Sequence, residues 1–551
     1  MRITNILLQG ISFSTITVAF FGLSSCRTSD TENNLTQGTK AQVNINFMGT
    51  VFKDEGLTPQ ASLKSMSAGN QKEQSHTVML TPSSVLTATL SPVKSGSSAQ
   101  AGLKTSMAVV SGNPLNNGAK FRVIAYKTGD GSYQTYQDYT IGQPSLSLTL
   151  DTGVAYTIVA YSYGTSSLPP ITPGETSAIG SAQIAYDNTN RDLMYVKQPY
   201  TPSSSNTTLN LTLIHQLMQI TTSVTTNIGA LNSISNAVIA PNFSDGSFPL
   251  NTGVMAGRTT GANQSIDFTG NNFPVAVNTP TNATPVLINS NTTGSTASFT
   301  ADVNIGGTTK TVNLANSFDI TPGTQAVLGV QISKCGAWMD AGHTQWKEFM
   351  CQNLGATGGI NPFSPEAGNH GAKYQWGSTG LAAEQGTRWI SQATDQNTPG
   401  TLSGWLTTSN KPANAWNNGT EAAPVKSAND PCNVGYRIPT KTELAGLIAN
   451  NTVDRTGSWT NSTTNYTTAL YFKNPEGLRT LMFPIAGYRE RAGGSPITNR
   501  GEYGYYWTGT YDGTTTPNAS YYSMFISNAA VALQGNGGYP EYGFSVRCIA
   551  E

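Results

Sequence analysis

The sequence predicts a mainly β chain, two β-sandwich domains followed by an α+β domain, and three observations predict it. The composition, with 56 Gly, 28 Pro and only 37% apolar residues, is that of many short strands joined by polar turns. Period-two alternation recurs through residues 41–332, as where Val43, Ile45 and Phe47 oppose Asn44 and Asn46. One late run, Asn429 to Leu447, carries helix signals instead. At 551 residues the chain exceeds one ordinary core, so two to four domains are expected. Lys and Arg number 30, as do Asp and Glu, which leaves no basic footprint for nucleic acid and no acidic tail for a cationic partner.

The first 26 residues read as a targeting segment: Arg2, an apolar run to Gly22, then Leu23-Ser24-Ser25-Cys26. An ordinary signal peptide ends at small residues without a cysteine. No other segment approaches the ~20 apolar residues of a transmembrane helix. The run resembles a bacterial lipobox. That resemblance implies that residues 1–25 are a lipoprotein signal peptide and that Cys26 is the lipidated N-terminus, anchoring the protein in the outer membrane or at the cell surface. Residues 26–40 are polar and aperiodic, as a flexible tether would be.

The strands then follow in order. Ala41 to Phe52 is a half-buried strand, and residues 54–105 read as loop interrupted by a strand at Thr77 to Leu90. Phe121 to Tyr126, the turn Gly129-Asp130-Gly131 and Tyr133 to Tyr139 form a hairpin signature. Leu146, Leu148 and Leu150 alternate, and a turn at Asp151-Thr152-Gly153 leads to the strand Tyr156 to Tyr161. Asp192 to Tyr195 and Thr208 to Val224 continue the pattern, the latter placing Leu209, Leu211, Leu213, His215 and Leu217 on one face. His215 is expected to be a hydrogen-bonded core histidine and not a metal ligand, because His76, His343 and His370 are scattered. A second sandwich is expected to end in the apolar strand Ala326 to Ile332.

Phe121 to Tyr126, Asp151 to Tyr163, Asp192 to Tyr195 and Leu211 to Ile220 give residues 41–332 a resemblance to the fimbrillin-like lipoproteins of Bacteroidetes-type bacteria. The resemblance implies two transthyretin-like β-sandwiches, over 41–217 and 218–332, and other fimbrial subunits as partners.

In the C-terminal part, Thr440 and Glu443 form a Thr-x-x-Glu capping box, and Leu444, Leu447 and Ile448 give a short helix one apolar stripe, to about Asn450. With Cys26 assigned to lipid, four of the five cysteines remain. In an exported chain they are expected as disulfides, and three pairings are open. Cys432 with Cys548 would staple the helix entrance to the closing strand-like run Gly543 to Cys548, and Cys335 with Cys351 would close a short local loop. A zinc site is the weaker reading, since no C-x-x-C pair exists.

Trp338-Met339, Gln352 to Leu354, Tyr374 to Gly377, Cys432 to Glu443, Phe483 to Arg489, Gly504 to Thr508 and Ser545 to Cys548 recur in order. On these motifs residues 333–551 resemble the Fibrobacter succinogenes major paralogous domain, with Asn433 in place of a proline and Tyr436 in place of a tryptophan. The resemblance implies a C-type-lectin-like domain, similar also to the formylglycine-generating-enzyme fold. Those enzymes use unpaired cysteines, and four bonded cysteines leave no thiolate, so oxidase chemistry is not expected. No catalytic constellation, calcium motif, other metal site or cofactor motif is apparent.

Aromatic residues crowd Tyr503 to Tyr542, with Trp507 expected in the core. In lectin-like folds the ligand surface lies on long late loops, so the resemblance points to Arg489, Glu490, Arg491, Tyr511, Asp512 and Tyr539 as ligand-binding candidates. The expected function is that of a non-enzymatic surface lipoprotein in adhesion, binding a glycan or protein ligand, and a fimbrial tip subunit in one form. The alternatives are a surface enzyme or accessory in polysaccharide processing, and a structural pilus subunit.

Overall fold

Alternating apolar residues need a second layer to bury their inner face, and the chain supplies two such arrangements before its C-terminal region. The computed structural model describes residues 39–53, 72–93, 114–186, 192–408, 411–492, 494–511, 521–535 and 539–551. The signal peptide, Cys26, nearly all of the tether and Asp512 lie outside the described residues. Strand β1 (Lys40–Val51) is followed by a hairpin of β2 (Gln74–Thr81) and β3 (Ser84–Pro92). Next come β4 (Lys120–Lys127), β5 (Tyr133–Thr140), β6 (Leu148–Asp151), β7 (Tyr156–Ser162), β8 (Gln183–Tyr186), β9 (Met194–Tyr200) and β10 (Asn206–His215). After these run β11 (Met218–Thr226), β12 (Leu231–Ala240), β13 (Gly246–Pro249), β14 (Gln264–Ser265), β15 (Thr281–Asn282), β16 (Val286–Ile288), β17 (Ala297–Ile305), β18 (Thr308–Phe318) and β19 (Gln325–Lys334).

The first sheet has the order β5-β4-β7-β9-β10-β1-β6, with β1 parallel to β10 and antiparallel to β6. Val43, Val123, Ile158 and Leu211 meet on its inner face, while Asn44, Asn46 and Asn210 stay wet on the other side of the same strands. The outer faces of β4, β7 and β9, through Tyr126, Tyr161 and Tyr195, are covered by the ribbon of β8 and β13 around Phe248 and Leu250.

The second sandwich stacks the sheet β15-β11-β19-β3-β2 on the sheet β14-β12-β17-β18. Leu86, Ile220 and Leu328 face Ile239, Phe299 and Leu314 across one core. Gly306 and Gly307, at φ 57° and 88°, make the two-residue turn between β17 and β18, a turn in which both residues need positive φ.

Three strand expectations change. The single strand expected at Thr77 to Leu90 is a hairpin turning at Pro82-Ser83, and it pairs with β19, so residues inside the 41–217 stretch complete the second sheet. The continuous run Thr208 to Val224 breaks at Gln216-Leu217, its halves serving different sheets. Period-two patterning fixes which face a residue takes but carries no information on which sheet the strand joins. Leu146 is 60% exposed, before β6 begins.

The C-terminal region is α+β. Helix α1 (Gln392–Asn397) is capped by Ser391, and α2 (Lys441–Asn450) has Thr440 as N-cap with both bonds of the capping box to Glu443 in place. Leu444 and Leu447 of α2 pack among Ala337, Phe349, Leu470, Phe483 and Ile526, which come from several short sheets. The run Gly543 to Cys548 makes only isolated bridges, to Tyr374, Arg489 and Tyr506; the closing strand is Ile549–Ala550, paired with Tyr436–Arg437. Disulfides join Cys335 to Cys351 and Cys432 to Cys548.

The β2–β3 turn also ties the second sandwich to the C-terminal region. Pro82 and Ser83 carbonyls accept the amides of Cys351 and Cys335 at 2.7 and 2.8 Å. Ser83 Oγ donates to Glu348 at 2.9 Å and lies 2.9 Å from the Tyr436 hydroxyl. Val85 belongs to the C-terminal core and its neighbour Leu86 to the sandwich core, so the alternation of β3 serves two cores at once.

Candidate functional site

Most of the late aromatic residues fall into two groups of touching rings among the described residues, while Tyr506 packs on Phe483 apart from both. In one, Tyr488 meets Tyr505 and Tyr542 edge-on at 5.0 and 5.3 Å, and Tyr505 and Tyr542 each stack on Phe544. Tyr539 leans on Tyr542 at 5.9 Å, and the Arg491 guanidinium lies 3.8 Å from the centre of the Tyr539 ring. The Tyr488 hydroxyl donates to Glu490 at 2.9 Å. Tyr505 and Tyr542 stack on Phe544 while these tyrosines, Tyr539 and Arg491 are all half-buried, so the ridge offers both aromatic surface and polar groups, a combination that suits a polar ligand with flat apolar faces.

Burial raises the phenols here. Tyr505 is pushed up to about 12, and Tyr542 is raised by burial and by Glu490, with Arg491 opposing. Tyr488 is raised too, first by burial and then by its hydrogen bond to Glu490. All three are neutral donors at neutral pH.

The candidates do not stay together. Glu490, Arg491 and Tyr539 share this ridge. Tyr511 instead packs with Trp376 and Tyr521, at 6.2 and 5.2 Å, in the other group. Arg489 does not reach the surface: it is fully buried, its Nε donates to Asp395 Oδ1 at 2.7 Å, and its other nitrogens reach the carbonyls of Asp395, Thr398, Gly400 and Ser495. Its expected ligand role gives way to a structural one. The strand ends at Arg489, whose side chain turns inward to Asp395, and Glu490 and Arg491 follow in the irregular stretch and bend beyond it. Trp507 is fully buried as expected, donating to the Tyr374 carbonyl at 2.7 Å. The tyrosine crowding is visible in the sequence, but Tyr488 carries no signal there beyond its place in the Phe483 to Arg489 motif.

Behind the ridge lies a buried polar cluster. Arg489 and Arg500 share the single carboxylate of Asp395, on α1. Lys373, fully buried, donates to Ser545 Oγ at 2.9 Å, and burial lowers it to about 7. His370, equally buried, packs edge-on against Tyr466 and is held well below its usual range by burial and by Lys373 and Arg500. Arg547 is surrounded by the oxygens of Asn353, Met350, Cys351 and Met482, and burial lowers it to about 10. His215 is a core residue, stacked on Phe52 at 4.0 Å with Nδ1 2.7 Å from Asp192.

All four described cysteines are disulfide-bonded. Among the described residues no group of three His, Cys, Asp or Glu side chains could hold a metal ion, and no helix is long and apolar enough to cross a membrane.

Residues 105–345, the part containing β4 to β19, match the model of the fimbrillin-like family. No curated protein sequence matches the chain. Among solved structures the chain is similar to a candidate cell adhesion protein from Bacteroides uniformis, with 11% identity, 40% of this chain and 90% of that one covered, and a TM-score of 0.29. For a candidate cell adhesion protein from Bacteroides fragilis the figures are 12%, 53%, 92% and 0.28. For a fimbrial assembly protein from Parabacteroides distasonis they are 9%, 42%, 86% and 0.26.

Proposed function

We propose that this protein is a non-enzymatic adhesion subunit of fimbrial type, held at the cell surface or outer membrane by lipid on Cys26. In this reading residues 41–217 and 218–332 form a stalk of two sandwiches that meets other fimbrial subunits. Residues 333–551 form a lectin-like domain carrying the ligand surface. The observation that carries the reading is the fimbrillin-like match over residues 105–345. The ligand surface is assigned to the ridge of Tyr488, Glu490, Arg491, Tyr539 and Tyr542, where hydroxyl donors and a guanidinium border stacked rings. A glycan suits that chemistry, its hydroxyls taking the polar edges and its ring faces the aromatic ones.

Immunogold labelling of intact cells, paired with glycan-array binding by the mature protein, tests this. The expected result is label on surface fibres and glycan signal that falls at least tenfold in an Arg491→Ala, Tyr539→Ala double variant. Label on fibres without any glycan signal would support the structural pilus reading instead, which the same family match also favours. Absence of surface label would overturn both.

A further inference from the structure

Each of the two sandwiches takes in the chain on one strand and lets it out on the neighbouring strand, running the same way. The first is entered on β1 and left on β10, which pair in parallel from Gln42 beside Asn206 to Val51 beside Ile214. The second is entered on β11 and left on β19, again in parallel, from Gln219 beside Gln325 to Thr226 beside Ile332. Among the described residues no other named strands pair in parallel, so the exceptions to an antiparallel fold fall where the chain enters and leaves.

The two pairs are joined end to end. Only Gln216 and Leu217 separate β10 from β11. There the Lys53 amide, just past β1, donates to the Gly323 carbonyl at 2.8 Å, and the Gly323 amide donates to the Leu217 carbonyl at 3.1 Å. Pulling Lys40 away from Lys334 therefore draws β1 and β10 in opposite directions along their length, and does the same to β11 and β19. Such a load falls on all the ladder hydrogen bonds of a pair together, whereas parting two adjacent ends breaks them one at a time. Side chains resist the same slip. Val43, Ile45, Leu209 and Leu211 are buried in one core, and Ile220, Val224, Leu328 and Val330 in the other. A slip of one residue, ~3.3 Å, would turn each apolar set to the wrong face. Beyond β19 the load enters a loop closed by the Cys335–Cys351 disulfide, whose amides the Pro82 and Ser83 carbonyls hold.

We infer that residues 40–334 are a load-bearing element, two parallel strand pairs in series that are loaded in shear and keep the chain folded under tension between its N-terminal side and its C-terminal region. The source of that tension rests on the reading above, with an anchor at one end and a ligand surface at the other. The mechanical resistance follows from the strand order and needs no ligand.

Optical-tweezer pulling of the mature chain in two geometries tests it. In the first, handles sit at the N-terminus and on Ala341→Cys, an exposed position just past the second sandwich, so both pairs are loaded in shear. In the second, they sit at the N-terminus and on Ser204→Cys, in the exposed turn before β10, where the Gln42 amide meets the Ser205 carbonyl, so β1 and β10 are peeled from adjacent ends. At one loading rate the rupture force is expected to be about threefold or more higher in the first geometry, since forced unfolding reports the barrier and not the equilibrium stability. Equal forces would overturn the inference. A disulfide between Asn44→Cys and Thr208→Cys, register partners exposed on the wet face, is expected to abolish rupture of the first sandwich in the shear geometry. Rupture at unchanged force and extension in that variant would also overturn it. Glycan-array silence with a high shear force would sink the adhesion reading and leave the load-bearing one standing.

Discussion

Lys373 is wholly buried, with its ammonium on Ser545 Oγ, and burial lowers it to about 7. An unfolded lysine titrates near ~10.4. Between those values the unfolded chain keeps a proton that the folded chain has released, so stability rises with pH from about 7 to about 10. Below that window both states are charged and the cost of burying the ammonium is fully felt. His370 acts in the same direction on the acid side: the unfolded imidazole takes a proton as pH falls through ~6.5 while the folded one stays neutral, so stability is lost there. Urea midpoints measured from pH 5 to pH 10 should climb throughout, and Lys373→Met should flatten the alkaline half. A slope that persists there in the variant would exclude Lys373 as its source. Asp395 is the other decisive residue, since Asp395→Ala leaves Arg489 and Arg500 buried without their carboxylate. A loss of about 3–5 kcal/mol is expected by chemical denaturation.

At the scale of elements, α2 begins where the capping box places it. Thr440→Ala removes the acceptor for the Glu443 amide, and a destabilisation of about 1 kcal/mol is expected from equilibrium unfolding. The β2–β3 hairpin has a larger reach. Ser83 Oγ touches both Glu348 and Tyr436, so Ser83→Ala and Tyr436→Phe should not add: a double-mutant cycle should give a coupling of about 0.5 kcal/mol or more. Strict additivity would mean that the turn rests beside the C-terminal region without holding it.

For the whole molecule, the two disulfides differ in the length of chain they close, 116 residues for Cys432–Cys548 against 16 for Cys335–Cys351. In the chain-entropy model the first contributes about 4–5 kcal/mol and the second about 3. Replacing each pair by serine and comparing denaturation midpoints should show the larger loss for the long loop. Cys335 and Cys351 also donate their amides to the hairpin turn, and Val85 sits in the C-terminal core. Residues 333–551 made alone should therefore melt at a lower temperature than the same region within the full chain, by calorimetry.

The sequence by itself determined what depends on near neighbours. Alternation of apolar residues set the β class and the inward face of β1 and β10, because side-chain direction in a strand has a period of two. Thr440 and Glu443 set the start of α2, since a cap is a bond across three residues. For the four cysteines the sequence left three pairings open and favoured Cys432 with Cys548 and Cys335 with Cys351, the pairing the folded chain makes. Tertiary structure decided what depends on distant partners. Nothing in residues 74–92 announces that β3 would lie beside β19, or that Val85 and Leu86 would enter different cores. Arg489 and Arg491 look alike in sequence, yet one is consumed by Asp395, 94 residues away, and the other reaches Tyr539 at the surface.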